Sequence, residues 1–430
     1  MQPSDRLDPQ PWMTAPETVA VMAALSAAGG EARFVGGCVR DAMLGRKVSD
    51  IDIATHEPPE RVMNLLKRAG IKAIPTGIKH GTVTAVIGIR HFEITTLRRD
   101  VETYGRHAKV EYTDDWQADA ARRDFTMNAL FCGADGTIYD PFGGLADLRA
   151  QRVRFVGDPE ARIREDVLRL LRFFRFHAYY GKGEPDAAAL AACRDLATLL
   201  PTLSGERICG ETLKLLAAPQ PAAVIEIMQA NDVLAHFLPE ATHIDRLRAL
   251  VTVEGAAPRD LVPRLDLMRR LAALLDGSEA SALAVATRLR FSNTERDRLI
   301  GLAGELELSP DLDGPARRRL VYRLGPTRFR DRALIAWAEA VAGVASMDRR
   351  LTEAWTDLLR AAADWVVPRF PLKGRDAVKL GVPPGPAVGR LMAMLEDWWI
   401  AGDFTADRAA CLAKLTELAD LPAAPPIPGA

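Results

Sequence analysis

At 430 residues, with 48% hydrophobic and 26% charged residues, the chain has the ordinary composition of a globular protein and is too long for one small domain. Its formal net charge of -1 excludes binding to nucleic acid through a global basic field, so such a partner has to be met by local patches. The five cysteines, Cys38, Cys132, Cys193, Cys209 and Cys411, are scattered without a C-x-x-C or a Cys/His cluster, which argues against a zinc site and for the reduced thiols of a cytoplasmic protein.

In chain order, "VAVMAALSAAGG" (19–30) is apolar enough for a signal-peptide core. Its upstream flank carries Asp5, Asp8, Glu17 and prolines instead of a basic start, so it predicts a helix leading into the first strand. No run of about 18 apolar residues exists, and no membrane partner is expected. From about 31 to 155, "ARFVGG", "DIDIAT", "TVTAVIGI", "HFEITTLR", "TIYDPF" and "VRFVG" read as short strands bounded by Gly, Pro and Asp. Among them "PPERVMNLLKRAG" opens on proline and closes on glycine, as a helix does. Past about 160 the apolar spacing becomes three and four: "EDVLRLLRFFRFHAYY", "ERICGETLKLLAAP" and "AAVIEIMQANDVLAHFL" predict helices. Proline-rich breaks near 218–222, 255–263, 310–315 and 366–372 mark where helical subdomains meet, and the tail "LPAAPPIPGA" reads as disordered.

The segment "GGCVRDAMLGRKVSDIDIAT" (36–55) carries the densest chemistry. On a strand Asp50 and Asp52 share one face while Ile51 and Ile53 take the other, and a hard divalent cation is what makes two carboxylates on one face favourable. Gly36 and Gly37 let backbone amides approach a ligand, "CVRDAML" opens a helix suited to phosphate, and Arg40 offers a bidentate donor. A D-x-D at a strand end is, alone, more often solvated than metal-bound. Neither a Walker loop nor G-x-G-x-x-G is present, so ordinary ATPase and dinucleotide readings lose their support. Glu93 on a second strand is either a third carboxylate for the same metals or a polar-face residue. "ARRDFTMNALF" groups Arg122, Arg123, Asp124 and Asn128, which could equally be a charged helix start.

"GGCVRD…DIDIAT", "TGIKHGTVTAVI", "FEITTLR", "RRDFTMNAL", "DPFGGLADL", "REDVLRLLRFFRF" and "LSGERICGE" come in the order seen in class II tRNA nucleotidyltransferases, the CCA-adding enzymes of the polymerase-β-like superfamily. The resemblance is dense from about 33 to 215 and returns weakly in "PLKGRDAVKLGVPPGPAVGRLMAMLEDWW". It implies an α+β chain: a small mixed-sheet nucleotidyltransferase head (1–155), then an all-helical neck that recognises the base (156–215), body (216–365) and tRNA-binding tail (366–430).

Read as one helix, "REDVLRLLRFFRF" makes Asp166 and Arg169, three apart, surface neighbours that offer an acceptor beside a donor. Cytosine and adenine each present an amino donor next to a ring-nitrogen acceptor and satisfy such a pair. Uracil and guanine present the inverse and leave both groups unpaired, at about 1 to 3 kcal/mol per bidentate contact. The commoner fate of this spacing is a surface ion pair. Arg172 would still border the nucleotide, and Arg175 would point well away from Asp166. The resemblance implies that Asp166, Arg169, Arg172 and, less directly, Arg175 contact the incoming nucleotide.

The expected reaction is attack of a tRNA 3′-hydroxyl on the α-phosphate of CTP, twice, then of ATP, releasing pyrophosphate. Asp50 and Asp52 would hold two Mg²⁺ ions, with Glu93 as a further catalytic carboxylate. Gly36, Gly37, Arg40, Arg123, Asp124 and Asn128 would bind the nucleotide. The rivals are a bacterial poly(A) polymerase, a partial adder and a degenerate RNA-binding relative. "TGIKHGTVTAVI" looks like the CCA-adding pattern, and residues 98–124 resemble the intact flexible loop of full adders. No histidine follows His243, so the His-Asp hydrolase domain of longer relatives is absent. The basic segments 316–332 and 368–376 are candidates for tRNA phosphates. Oligomeric state is not legible.

Overall fold

The computed structural model describes residues 1–27, 29–104, 107–263, 265–304, 308–344 and 348–419, without side chains at 100–110. Among the described residues ten strands are formed: β1 (Asp5–Arg6), β2 (Ala32–Val35), β3 (Ile51–Thr55), β4 (Lys72–Gly77), β5 (Thr82–Ile87), β6 (Arg90–Thr96), β7 (Arg98–Tyr104), β8 (His107–Tyr112), β9 (Phe131–Cys132) and β10 (Thr137–Tyr139). Eight make one mixed sheet in the order β1-β10-β9-β2-β3-β6-β5-β4, and β7 with β8 makes a separate hairpin. Within the large sheet every pairing is antiparallel except β3 with β6. The mixed sheet and the helices after it match the expected α+β class.

Alternation along the strands sets the two faces. Ile51, Ile53, Phe92 and Ile94 join Phe34, Val62 and Leu66 in one core, under the helices Pro16–Ser26 and Pro59–Arg68. Val35 and Ala54 join Trp116, Ala120, Phe131 and Val156 on the other face. The glycines of "DPFGGLADL" are steric: Asp140 accepts from the amides of Gly144 (2.7 Å) and Leu145 (2.9 Å), and Gly144 lies directly on the Thr126 carbonyl, where no Cβ fits.

Four expectations are corrected. "VRFVG" is not a strand but a single bridge, Phe125 to Phe155. The segment 98–124, compared with a flexible loop, pairs as β7 and β8 and continues into the helix Trp116–Ala121, while Gly105, Arg106 and the side chains of 100–110 lie outside the described residues. "AAVIEIMQANDVLAHFL" is a helix, Pro221–Ala230, broken at Asp232 (φ 57°) before a short 3₁₀ turn, Leu234–His236. "REDVLRLLRFFRF" is two helices, Pro159–Glu165 and Leu168–Tyr180, because Asp166 is extended (φ −149°, ψ 104°). The Pro/Ala tail 421–430 lies outside the described residues.

The chain divides into two compact units, Met1–Ala241 with Thr287–Phe291, and Thr242–Ala286 with Ser292–Ala430. The first holds the sheet and the helices after it, joined through an aromatic run in which Phe125 packs on Phe155 and Phe176, and Phe155 on Phe173. The second is helical, with one core around the stacked Trp337 and Trp355 and another around Trp399. Its first core encloses Arg269, fully buried between Glu254 (2.6 Å) and Asp331 (2.9 Å).

Candidate active site

Asp52 and Glu93 are brought together by the parallel pairing of β3 and β6, which sets them opposite one another in register. Asp50 falls one residue before β3 begins and is exposed, accepting from the Ser49 hydroxyl at 3.0 Å. Burial, then Glu93 and Asp50, push the Asp52 carboxyl up to about 6, against the pull of Arg123 and Arg40. Three carboxylates therefore share one electrostatic field at the start of β3. Among the described residues, no three His, Cys, Asp or Glu side chains already form a metal-holding group.

Beside them the chain turns at Gly36 (φ 70°) into the helix Gly37–Met43. Gly36 takes a backbone conformation (φ 70°, ψ −121°) that other residues rarely adopt, and Arg123 Nη1 lies against the turn, 3.4 Å from where a Cβ would stand. Arg40 is buried, and its fork is engaged: Nε and Nη2 donate to the two Asp41 carboxylate oxygens (2.9 Å each) and Nη1 to Asn128 Oδ1 (2.6 Å). It braces the turn from beneath rather than offering a free fork. The Cys38 thiol, pushed up to about 12 by burial, donates to the Val35 carbonyl and is no nucleophile at neutral pH.

Arg122 and Arg123 are anchored by Asp119, an almost wholly buried carboxylate three and four residues earlier on the Trp116–Ala121 helix (2.7 and 3.0 Å). Sequence reasoning passed over Asp119, although its spacing to the arginines is that of helical neighbours. Asp124 accepts from the Phe125 amide (2.8 Å), Asn128 Nδ2 (2.9 Å) and Arg172 (2.5 and 2.8 Å). Burial works against its ionisation, yet Arg172, Asn128 and the Phe125 amide together hold it down at about 2.

Asp166 and Arg169 are not neighbours on one helix surface, because Asp166 stands in the break between the helices. Asp166 receives Arg207 Nη2 on both oxygens (2.8 and 2.9 Å) and the Leu168 amide (3.2 Å). Arg169 donates to Glu165 (2.6 Å) and to the carbonyls of Arg162 and Arg122. A cavity of about 410 Å³ lies against Asp166, lined also by Arg164, Thr202, Ser204 and Arg207 but not by Arg169. Arg172 is close enough to feel the Asp166 charge. Arg175 turns instead to Glu211 (2.5 Å) and lies over Phe176, away from Asp166 as the helical geometry predicts. Arg207 and Glu211 were missed as partners, since about forty residues separate them from the acids and bases they hold.

Two family models match: the poly A polymerase head domain at residues 32–154, and the probable RNA and SrmB-binding site of polymerase A at residues 184–244. The mouse mitochondrial CCA tRNA nucleotidyltransferase 1 is 35% identical over 380 residues, covering 86% of this chain and 82% of the relative. The CCA-adding enzyme of Levilactobacillus brevis is 32% identical over 403 residues, 92% and 96% of the two chains. The chain belongs to the CCA-adding tRNA nucleotidyltransferases. A crystal structure of the Bacillus stearothermophilus CCA-adding enzyme in complex with CTP superposes with a TM-score of 0.75 at 28% identity, covering 93% of this chain and 96% of that one.

As a CCA tRNA nucleotidyltransferase, the chain has no helix, among the described residues, long and apolar enough to cross a membrane. Three of the seven arginines of its basic segment 316–332 pair with acids, Arg318 with Asp403, Arg323 with Asp397 (3.1 Å) and Arg330 with Asp331 (3.5 Å), while within 368–376 Asp376 takes Arg408 from outside the segment (2.7 Å). Of the two aromatics in the first segment, Phe329 is buried and Tyr322 donates to Glu396 at 2.5 Å.

Proposed function

We propose that this member of the CCA-adding enzymes extends tRNA at its 3′ end by C, C and A, taking CTP twice and ATP once and releasing pyrophosphate. The observation that carries the reading is the registered pair Asp52 and Glu93 beside the Gly36–Gly37 turn, in a chain alike over most of its length to enzymes named for that activity.

Burial, with Glu93 and Asp50 nearby, raises the Asp52 carboxyl in spite of Arg123 and Arg40, and this fits a hard divalent cation, which we assign as Mg²⁺ held by Asp50 and Asp52 with Glu93 alongside. Such an ion supplies an acidified hydroxyl and charge relief on the phosphate. The chain's own residues do the rest. Gly36 and Gly37 offer backbone amides to the triphosphate, Arg123 lies against that turn, and Arg40 fixes it from below through Asn128. Asp124 and Asn128 border the sugar and hold Arg172 in place. Asp166 accepts from the amino group shared by cytosine and adenine, and Arg169 orients the helix break by gripping the Arg162 and Arg122 carbonyls. Arg175 acts through Glu211, not on the nucleotide. In this reading 1–155 is the catalytic head, 156–215 the base-reading neck, 216–365 the body and 366–430 the tail that meets tRNA. The five free cysteines support a cytoplasmic location.

The test supplies tRNA ending before CCA with each labelled nucleotide in turn and sequences the product ends. One C-C-A per acceptor is expected. Long runs of A alone would establish the poly(A) polymerase reading instead. Removal of divalent cations by a chelator should abolish turnover, and Mg²⁺ should restore it.

A further inference from the structure

The helix Leu168–Tyr180 carries a stripe of three residues four apart, Arg172, Phe176 and Tyr180, that faces the Gly37–Met43 helix. The Arg40 guanidinium lies on this stripe, 5.3 Å from the Phe176 ring centre and 4.3 Å from that of Tyr180. The same Phe176 ring carries Arg172 at 5.4 Å. At the far end the Tyr180 hydroxyl donates to Asp41 Oδ1 at 3.1 Å, and Arg46 lies over the Tyr180 ring at 4.6 Å.

These contacts close into a circuit. Arg172 donates to Asp124, Asn128 donates to Asp124, Arg40 donates to Asn128 and to Asp41, and Tyr180 donates to Asp41. Both ends of the circuit stand on one helix, eight residues apart. A helix is stiff over two turns, so the circuit fixes where Arg40, and with it the Gly36–Gly37 turn, sits relative to the element that reads the base.

We infer that Tyr180 is a positioning residue for the triphosphate turn: through Asp41 and Arg40 it sets the distance between the phosphate end and the base end of the site. The inference rests on the proposed reading that Gly36, Gly37 and Arg123 hold the triphosphate. Because the phosphates are common to both nucleotides, Tyr180 serves CTP and ATP alike and leaves base choice to Asp166.

Tyr180→Phe keeps the ring over Arg40 and removes only the hydroxyl. A hydrogen bond to a charged group contributes enough that its loss, partly relayed, should raise KM for both CTP and ATP by about 3- to 10-fold. The inhibition constant of inorganic tripolyphosphate, a probe without a base, should rise by the same factor, while rejection of UTP and GTP stays unchanged. Loss of folded enzyme would lower kcat and move none of these constants. Asp41→Asn should raise KM similarly, and Tyr180→Phe added to it should cause no further rise. The inference is overturned if tripolyphosphate competes with CTP yet its constant is unmoved by Tyr180→Phe, if only one nucleotide is affected, or if the two substitutions act additively. If tripolyphosphate fails to compete in the parent enzyme, the triphosphate reading falls, and the inference with it.

Discussion

Replacing Asp124 by asparagine tests the electrostatics at the centre of the first unit. The carboxyl is held at about 2, against 3.8 for the ordinary group. Each unit of pKa corresponds to about 1.36 kcal/mol, so the ionised form contributes about 2 to 3 kcal/mol to folding at neutral pH. Because the folded value is depressed, this contribution is fully present above about pH 4, falls as the pH drops, and is gone below about pH 2. Asparagine keeps an acceptor for the Phe125 amide but no charge for Arg172, whose side chain is 31% exposed, so water offsets part of the loss. The assay is urea denaturation of both proteins followed by far-UV circular dichroism from pH 7 to pH 2. A gap of about 2 kcal/mol at pH 7 that closes toward pH 2 is expected, with the other carboxylates cancelling in the difference. A gap that is the same at every pH would refute the charge argument and leave only shape.

Three further outcomes follow from the geometry. Asp52→Asn should lower turnover at least ~1000-fold with little change in thermal unfolding, since burial and the neighbouring acids already disfavour the charge it removes; an active Asp52→Asn would remove it from the chemistry. Asp166→Ala should relax base choice by about 1 to 3 kcal/mol, read as misincorporated U or G in sequenced product ends, and unchanged fidelity would move base reading elsewhere. Arg269→Ala should destabilise the second unit by about 3 to 5 kcal/mol in calorimetry, because Glu254 and Asp331 stay buried without their shared counter-charge; a loss below about 1 kcal/mol would mean water reaches them.

Strands bounded by turn residues were legible: β2, β3, β5, β6 and β10 follow from short β-branched or aromatic runs between Gly, Pro and Asp. β4 was hidden by Pro75, which is tolerable because β4 ends the sheet order and its outer edge needs no partner. β9 has two residues, too few to show any period. The segments of β7 and β8 are rich in charged residues, so composition alone reads them as loop. At the site, Asp50, Asp52 and the glycine turn were visible as a local pattern, and Glu93 as a candidate that the register then aligned. The break at Asp166 was not, because apolar periodicity runs straight through "REDVLRLLRFF", whereas an aspartate accepting from the amide two residues on favours a turn. Arg40 was read as a free donor because its partners, Asn128 and the inward-facing Asp41, are fixed only by the folded chain.

The parallel ladder between β3 and β6 also bears on how the chain tolerates change. In a tight hairpin, an inserted residue shifts one strand past the other and sends its side chains to the opposite face. Asp52 and Glu93 are instead joined by the whole crossover from His56 to Ile89, which holds the Pro59–Arg68 helix, β4 and β5. Lengthening or trimming the turn between the helix and β4 in that crossover leaves the backbone ladder, and so the facing of the two carboxylates, untouched. The exposed turn at Ala69 and Gly70, between the Pro59–Arg68 helix and β4, is therefore a place where tags, reporters or new recognition segments can be inserted without realigning the acids, whereas Gly88 and Ile89 close the tight β5–β6 hairpin and are not.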